Sequence, residues 1–177
     1  IDCRKLISYP RIRSVLMEFA VSSLFRDVGF ECFDAVAGGE TAGIPYAAFI
    51  AEKTKKPMIY IRKKSKGFGI NQQIEGKFKK NDLVILIEDL ATDGGSKILF
   101  VEAMRKAGLT VKDIFVIFYY DIFNLKDTVL SKLDINIHYL CTWKDIIAII
   151  EKKNLYNQND INNLKKFLSN PDEWRKN

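Results

Sequence analysis

One feature constrains the fold of this chain most. It is a run of apolar residues that leads into an acidic pair and then into a glycine-rich loop. Residues 83–87 are five consecutive apolar side chains, which predict a strand buried on both faces, as in a parallel sheet. Glu88 and Asp89 follow at once, before a short loop with two glycines and two hydroxyl side chains. Apolar side chains then recur at helical spacing from Phe100 to Ala107. The sequence therefore predicts the order strand, acidic pair, glycine loop, helix.

The glycine loop has the composition of a phosphate site. A loop that opens into a helix presents free backbone N–H groups and the positive end of the helix dipole. Gly94 and Gly95 allow the backbone to approach a phosphate closely, and Thr92 and Ser96 can add hydroxyl donors. Because carboxylates cannot bind phosphate, we expect the acidic pair to hold ribose hydroxyls, or a Mg²⁺ through its waters. A phosphate beside a ribose predicts a phosphorylated sugar.

An ordinary turn between a strand and a helix would show the same spacing. The two familiar nucleotide-binding loops, GxxxxGK[ST] and GxGxxG, are both absent. Spacing alone therefore leaves a structural turn and a phosphate loop equally open.

Residues 87–96 resemble the phosphoribosyl pyrophosphate (PRPP) motif of the type I phosphoribosyltransferases. The resemblance implies an α/β fold with a mainly parallel central sheet flanked by helices. It also implies that Glu88 and Asp89 hold the ribose hydroxyls and that the following loop wraps the 5′-phosphate. The loop residues assigned to PRPP in this way are Leu90, Ala91, Thr92, Asp93, Gly94, Gly95 and Ser96. Asp93 stands where the family more often has a small or hydroxyl residue, so we expect its side chain to point away from the phosphate.

Three further segments are similar to the orotate phosphoribosyltransferases within that family. Residues 1–10 resemble a strand that follows their N-terminal region, residues 37–47 their pyrophosphate loop, and residues 62–67 their mobile catalytic loop. The resemblance implies that Thr41 and Ala42 make backbone contacts to pyrophosphate. The lysine that many members carry in that loop is missing here.

The basic loop of residues 62–76 supplies the remaining roles that the resemblance implies. Arg62 and Lys63 would bind the pyrophosphate portion of PRPP, and Lys66 would be the catalytic lysine, acting in the neighbouring subunit of a homodimer. Asp89 is the second residue assigned to catalysis, and Thr92 is also assigned to orotate. An arginine that often binds orotate in the family, after the strand near Tyr119, is not obvious.

The implied function is that of a cytoplasmic, Mg²⁺-dependent pentosyltransferase. It would transfer the 5-phosphoribosyl group from PRPP to orotate, giving orotidine 5′-monophosphate and pyrophosphate in pyrimidine synthesis. Mg²⁺ would bind through PRPP and water, with no protein ligand. Two alternatives stay open: a phosphoribosyltransferase for a purine base, and a regulator that binds PRPP or RNA without turnover.

Length and composition agree with a single domain. The 177 residues can bury a sizeable core, and no membrane span or signal peptide is visible. Three widely spaced cysteines predict reduced thiols, and the net charge of +6 suits either nucleic acid or small anionic substrates. The chain starts abruptly at Ile1, from which we expect that an N-terminal segment covering the base precedes it.

The remaining elements follow from hydrophobic spacing and capping signals. The first helix is predicted from Pro10 to about Val28, with an apolar stripe of Val15, Leu16, Phe19 and Leu24. His138, the only histidine, is expected to be structural because no carboxylate or second histidine lies nearby in sequence. The other predictions are strands at 35–37, 58–61, 114–120 and 137–141, and helices at 45–54, 143–153 and 160–168. Two caps are predicted: Thr142, with Asp145 in the first turn, at the start of the helix at 143–153, and Gly108 at the end of the helix after the PRPP motif.

Overall fold

Six strands form one sheet in a computed structural model that describes residues 1–64, 73–92, 94–122 and 133–171. Their order is β3-β2-β1-β4-β5-β6, and all neighbours are parallel except the pair β2 and β3. The strands are β1 (Ala35–Gly39), β2 (Met58–Ile61), β3 (Ile74–Glu75), β4 (Leu83–Ala91), β5 (Thr110–Tyr119) and β6 (Asn136–Thr142). The short β3 was not predicted, since it lies within the polar stretch after β2.

Helices cover both faces of this sheet, which confirms the predicted α/β architecture. They are α1 (Cys3–Leu6), α2 (Pro10–Asp27), α3 (Gly43–Thr54), α4 (Gly95–Lys106), α5 (Trp143–Lys153) and α6 (Gln158–Ser169). Phe100 and Met104 of α4 are buried in the core on one face, and Leu24 of α2 and Ile50 of α3 are buried in the core on the other. No helix in the described part of the chain is long and apolar enough to cross a membrane.

The strand order places the carboxyl ends of β1 and β4 next to each other. From β1 the chain crosses to β2 on one side, and it then returns to β4 on the other side of β1. The connections that leave β1 and β4 therefore diverge and open a crevice at the edge of the sheet, where ligands bind in open α/β sheets.

The central strand is longer than its apolar run predicted. It continues through Glu88 and Asp89 to Ala91, because β5 pairs with it over this whole length, with Leu90 opposite Phe118. The acidic pair thus lies within the strand, and only residues 92–94 separate β4 from α4. The end of the apolar run at residue 87 predicted the end of the strand too early. Pairing with β5 extends β4, because a partner strand supplies backbone hydrogen bonds whatever the side chains are.

The predicted apolar stripe of α2 is half wrong. Leu24 is fully buried, but Val15 and Phe19 are exposed, Phe19 by 60%. Met17 and Ala20 take the buried positions, because the face of α2 that packs on α3 and the sheet is turned away from Phe19. The helix therefore has a second, outward apolar face.

The prediction for the N-terminal residues was also wrong. The resemblance implied a strand over residues 1–10, and the structure has the one-turn helix α1 followed by α2. The buried hydroxyl of Tyr46 donates a hydrogen bond to the Cys3 carbonyl at 2.5 Å, so α1 is tied to α3. Two cap predictions are confirmed: Thr142 and Asp145 form a capping box on α5, and Gly108 takes a left-handed conformation after α4.

Candidate active site

A cleft of about 670 Å³ lies at the carboxyl ends of β1 and β4. It is bounded by the loop after β1, the end of β4, the start of α4 and the helix α1. The residues that line it are Arg4, Ile7, Glu40, Thr41, Ala42, Pro45, Lys63, Glu88, Asp89, Leu90, Thr92 and Lys97. Charged side chains of both signs therefore meet in one concave site, as polar ligand sites require.

Glycines of the first loop allow Glu88 to fit into the wall of the cleft. A Cβ atom added to Gly39 would overlap Glu88 Oε1, and one added to Gly43 would lie 2.8 Å from the same oxygen. Any larger residue at either position would push the carboxylate out of place. These two glycines therefore let the β1–α3 connection close onto the acidic end of β4.

Glu88 forms a buried ion pair with Lys97. The two side chains are 7% and 9% exposed, and Lys97 Nζ lies 3.3 Å from Glu88 Oε2. The other oxygen, Oε1, is buried and has no hydrogen-bond partner among the described residues. Burial raises the pKa of Glu88 to about 7; the nearby Lys97 opposes that rise and Asp89 adds to it.

Asp89 has a different environment from its neighbour. Its Oδ2 atom is buried, accepts no hydrogen bond from the described residues, and lies 3.8 Å from Arg4 Nε. The Arg4 side chain is 78% exposed, so this ion pair is open to solvent on the arginine side. Among the described residues, Asp89 thus has a buried acceptor atom without a donor at the wall of the cleft and a loosely held cation beside it.

The first loop is tied to the end of β2. The backbone N–H of Lys63 donates to Glu40 Oε2 at 2.6 Å, and the peptide bond between Glu40 and Thr41 is cis. Arg62 faces β3, where its guanidinium lies 2.9 Å from Glu75 Oε1. Arg62 is therefore not among the residues that line the cleft, whereas Lys63 is.

The structure brings most of the predicted site residues together. Those that line the cleft are Thr41, Ala42, Lys63, Glu88, Asp89, Leu90 and Thr92. Ala91 is buried at the end of β4, Gly94 has a left-handed backbone before α4, and Gly95 and Ser96 begin that helix. Lys66 and Asp93 lie outside the described residues. His138 lies 2.8 Å from Asp113, toward the amino ends of β5 and β6 and away from the cleft.

Sequence reasoning missed Arg4, Glu40 and Lys97. A signal for Lys97 was present, because a lysine in the first turn of a helix lies at the positive end of the helix dipole, which disfavours a cation. Nothing in the local sequence indicated a site role for Arg4, because its contact with Asp89 depends on how α1 packs over the sheet. Within the described ranges, no three His, Cys, Asp or Glu side chains are grouped so that they could hold a metal ion.

Comparisons with known proteins give the relatives of the chain. No protein-family model matches it. The orotate phosphoribosyltransferase of Roseobacter denitrificans is 50% identical over 175 residues, which cover 99% of this chain and 78% of that protein. The orotate phosphoribosyltransferase structure from Aeropyrum pernix is 29% identical with a TM-score of 0.73, covering 89% of this chain and 84% of that chain.

A third comparison concerns the fold alone. A Mycobacterium tuberculosis orotate phosphoribosyltransferase in complex with PRPP is 18% identical, with a TM-score of 0.64 over 82% of each chain. The same sheet and helices thus recur in a protein whose structure contains PRPP.

Proposed function

The chain belongs to the orotate phosphoribosyltransferases, pentosyltransferases that use PRPP, and we propose that the cleft between β1 and β4 is where it transfers the 5-phosphoribosyl group to orotate. One observation carries the location. Glu88 and Asp89 lie side by side in the cleft, and Asp89 Oδ2 is a buried carboxylate oxygen without a hydrogen-bond donor among the described residues. Buried acceptors in that state are suited to ligand hydroxyls, because an unmade hydrogen bond is costly.

The sugar phosphate end of PRPP would lie against β4 and α4. Asp89 would accept hydrogen bonds from ribose hydroxyls, with Glu88 beside it. Residues 92–96 would surround the 5′-phosphate, which the positive end of the helix dipole at the start of α4 favours. Thr92 lines the same cleft and would also contact the base.

The diphosphate end would lie toward the first loop. Thr41 and Ala42 line that side of the cleft, and Lys63 lies beside them. When the bond from ribose C1 to the diphosphate oxygen breaks, negative charge grows on the leaving group, and the cation of Lys63 would stabilise it. Nitrogen N1 of orotate then bonds to C1 and gives up its proton to the departing pyrophosphate or to solvent. The base displaces pyrophosphate directly, so the reaction needs no covalent intermediate on the protein. Arg62 would have to leave Glu75 to join this group.

Mg²⁺ is the cofactor that the family implies, and the donor set of the cleft fits it. Asp89 Oδ2 is a hydrogen-bond acceptor without a donor among the described residues, suited to a water molecule of a hydrated Mg²⁺. When bound, the ion would neutralise charge on the diphosphate. Asp89 would orient the water shell while the diphosphate supplies the direct ligands.

A homodimer is part of the proposal. The outward face of α2 carries Ile12, Val15 and Phe19, and Tyr9 precedes it; all four are exposed. Contiguous exposed apolar side chains mark protein interfaces, and a second copy of this chain is the partner that the family relationship favours. Lys66 would then serve the cleft of the neighbouring subunit.

The activity is tested with purified protein, PRPP and Mg²⁺. We expect consumption of orotate and release of pyrophosphate, with no reaction for adenine, guanine or uracil. Turnover of a purine base would favour a purine phosphoribosyltransferase. Binding of PRPP without turnover of any base would favour a regulator and contradict the proposal.

The catalytic role of Lys66 is tested by a pair of inactive variants. Lys66→Ala should lower kcat by about a hundredfold or more while changing PRPP affinity little, because it removes a charge used mainly in the transition state. Mixing Lys66→Ala with Asp89→Asn should restore part of the activity, since a mixed dimer contains one site with both residues intact. Absence of any recovery, in a sample shown to be dimeric by sedimentation, would contradict a lysine supplied by the partner.

A further inference from the structure

Lys97 is a buried lysine in the wall of the cleft, and the roles proposed above do not use it. Lysine is almost never fully buried unless it is paired. Its position in the first turn of α4 adds a second cost, because the helix dipole there repels a cation. A buried ammonium group at the start of a helix needs a nearby anion to offset the free-energy cost of burial and of the helix dipole. Glu88 supplies such an anion, at 3.3 Å.

Glu88 is held from two sides. Lys97 lies at Oε2, and Oε1 packs against the backbone of Gly39 and Gly43, where no side chain could fit. The carboxylate group is therefore clamped between the two strand–loop–helix units that form the cleft. Removing the ammonium would leave a buried acidic group with neither oxygen anchored by a cation.

The acidic pair is thus divided into two unlike members. Glu88 is paired inside the protein, whereas Arg4, which is exposed, is the one cation paired with Asp89 among the described residues. Two adjacent buried carboxylates without compensation would repel each other and would repel a ligand that carries phosphates. Lys97 cancels one of these two charges within the cleft.

We propose that Lys97 is a positioning residue for PRPP: acting through Glu88, it fixes that carboxylate and lowers the negative charge that a polyphosphate meets on entering the cleft. The inference rests on the proposed function, because it names PRPP as the ligand. It assigns Asp89 as the acceptor for the ribose and Glu88 as the structural partner of Lys97.

The test is a double-mutant cycle on PRPP binding, measured by titration calorimetry with Mg²⁺ and no base. Lys97→Met keeps the length of the side chain and removes its charge, and we expect it to weaken PRPP binding by about tenfold or more. Lys97→Arg keeps the charge and should stay within about threefold of wild type. In a Glu88→Gln background, Lys97→Met should cost less than about threefold, because Lys97 acts through Glu88.

A matched control is Lys165→Met, which breaks the more exposed ion pair of Lys165 with Glu151 at 2.6 Å. It should bind PRPP as the wild type does. If Lys97→Met does not fold, as judged by circular dichroism, the comparison is between Lys97→Met/Glu88→Gln and Glu88→Gln. Both should bind PRPP about tenfold more weakly than wild type and within about threefold of each other.

Three results would overturn the inference. Wild-type affinity in Lys97→Met, or in the double variant, would show that the charge pair does not matter for PRPP. An equal loss from Lys97→Met in the wild-type and Glu88→Gln backgrounds would show that Lys97 acts directly on the ligand. Failure of the wild type to bind PRPP would remove the proposed function as well, so the two failures are distinguishable.

Discussion

The cleft is built from two strand–loop–helix units that share a topology and differ in chemistry. The connection from β1 to α3 has small residues on its cleft side and one carboxylate, Glu40, which accepts a hydrogen bond from the chain itself. Among the described residues, the unit of β4 and α4 places three charged side chains in the cleft: Glu88 and Asp89 near the end of β4, and Lys97 in the first turn of α4. One unit thus supplies backbone and shape, and the other supplies charge.

The difference teaches that neither unit makes the site alone. Glu88 belongs to the charged unit, but its position depends on Gly39 and Gly43 of the other unit. Close packing leaves no room for adjustment at that contact, because protein interiors are as dense as organic crystals. A change in the β1–α3 unit should therefore damage the β4–α4 unit. Four variants, two in each unit, test the comparison in order of expected effect.

Gly39→Ala should have the largest effect. The added methyl group would overlap Glu88 Oε1 and lie 2.7 Å from Phe100 Cε2, so the carboxylate or the helix α4 must move. We expect a loss of about 3 kcal/mol in the free energy of unfolding in urea, together with weaker PRPP binding. Gly108→Ala is the control: it is strained by its positive φ but meets only the flexible Lys80 side chain, and it should leave PRPP affinity unchanged.

Asp89→Asn should weaken PRPP binding by about tenfold to a hundredfold, since a charged hydrogen-bond acceptor for the ribose becomes neutral. The measurement is calorimetric titration with Mg²⁺. Asp113→Asn is the matched control, because Asp113 pairs with His138 toward the other end of β5. Equal affinities for Asp89→Asn and wild type would mean that the ribose is held elsewhere.

The raised pKa of Glu88 should make the free energy of unfolding depend on pH. Burial raises its pKa from 4.5 to about 7, so the folded protein retains a proton that the unfolded chain releases. Stability from this group is therefore present at low pH and is lost as pH rises from about 4.5 to 7, by up to about 1.4 kcal/mol per pH unit. Urea unfolding at pH 5 and 6 should show this slope in wild type and a smaller one in Glu88→Gln; identical slopes would contradict it.

Glu40→Gln should have the smallest effect. The amide oxygen can still accept the hydrogen bond from the Lys63 backbone, and only the charge is lost. We expect kcat/KM for PRPP to fall by about threefold or less, because a hydrogen bond to a neutral acceptor is only modestly weaker than one to a carboxylate. Glu31→Gln, which removes an exposed carboxylate that pairs with Lys56 away from the cleft, is the control and should leave kcat/KM unchanged. A loss as large as that of Asp89→Asn would show that the first loop also contributes charge.

Local patterns predicted much of the fold, for reasons that can be named. The helix α4 and the box that caps α5 follow from side chains a few residues apart, whose contacts depend only on helix geometry. Met58–Ile61 was predicted with its observed bounds because its apolar run is short and bounded by polar residues. The end of β4 and the exposed face of α2 were predicted wrongly, since both depend on what packs against them.

By itself, the sequence determined the alternation of strands and helices, the acidic pair and the glycine loop, because each is a property of neighbouring residues. Only the tertiary structure decided which carboxylate is paired. The register of β1 on β4, with Gly38 opposite Ile87, places Gly39 beside Glu88. The fold of α1 over the sheet likewise places Arg4 at Asp89. Such contacts join residues far apart in sequence, and no local spacing encodes them.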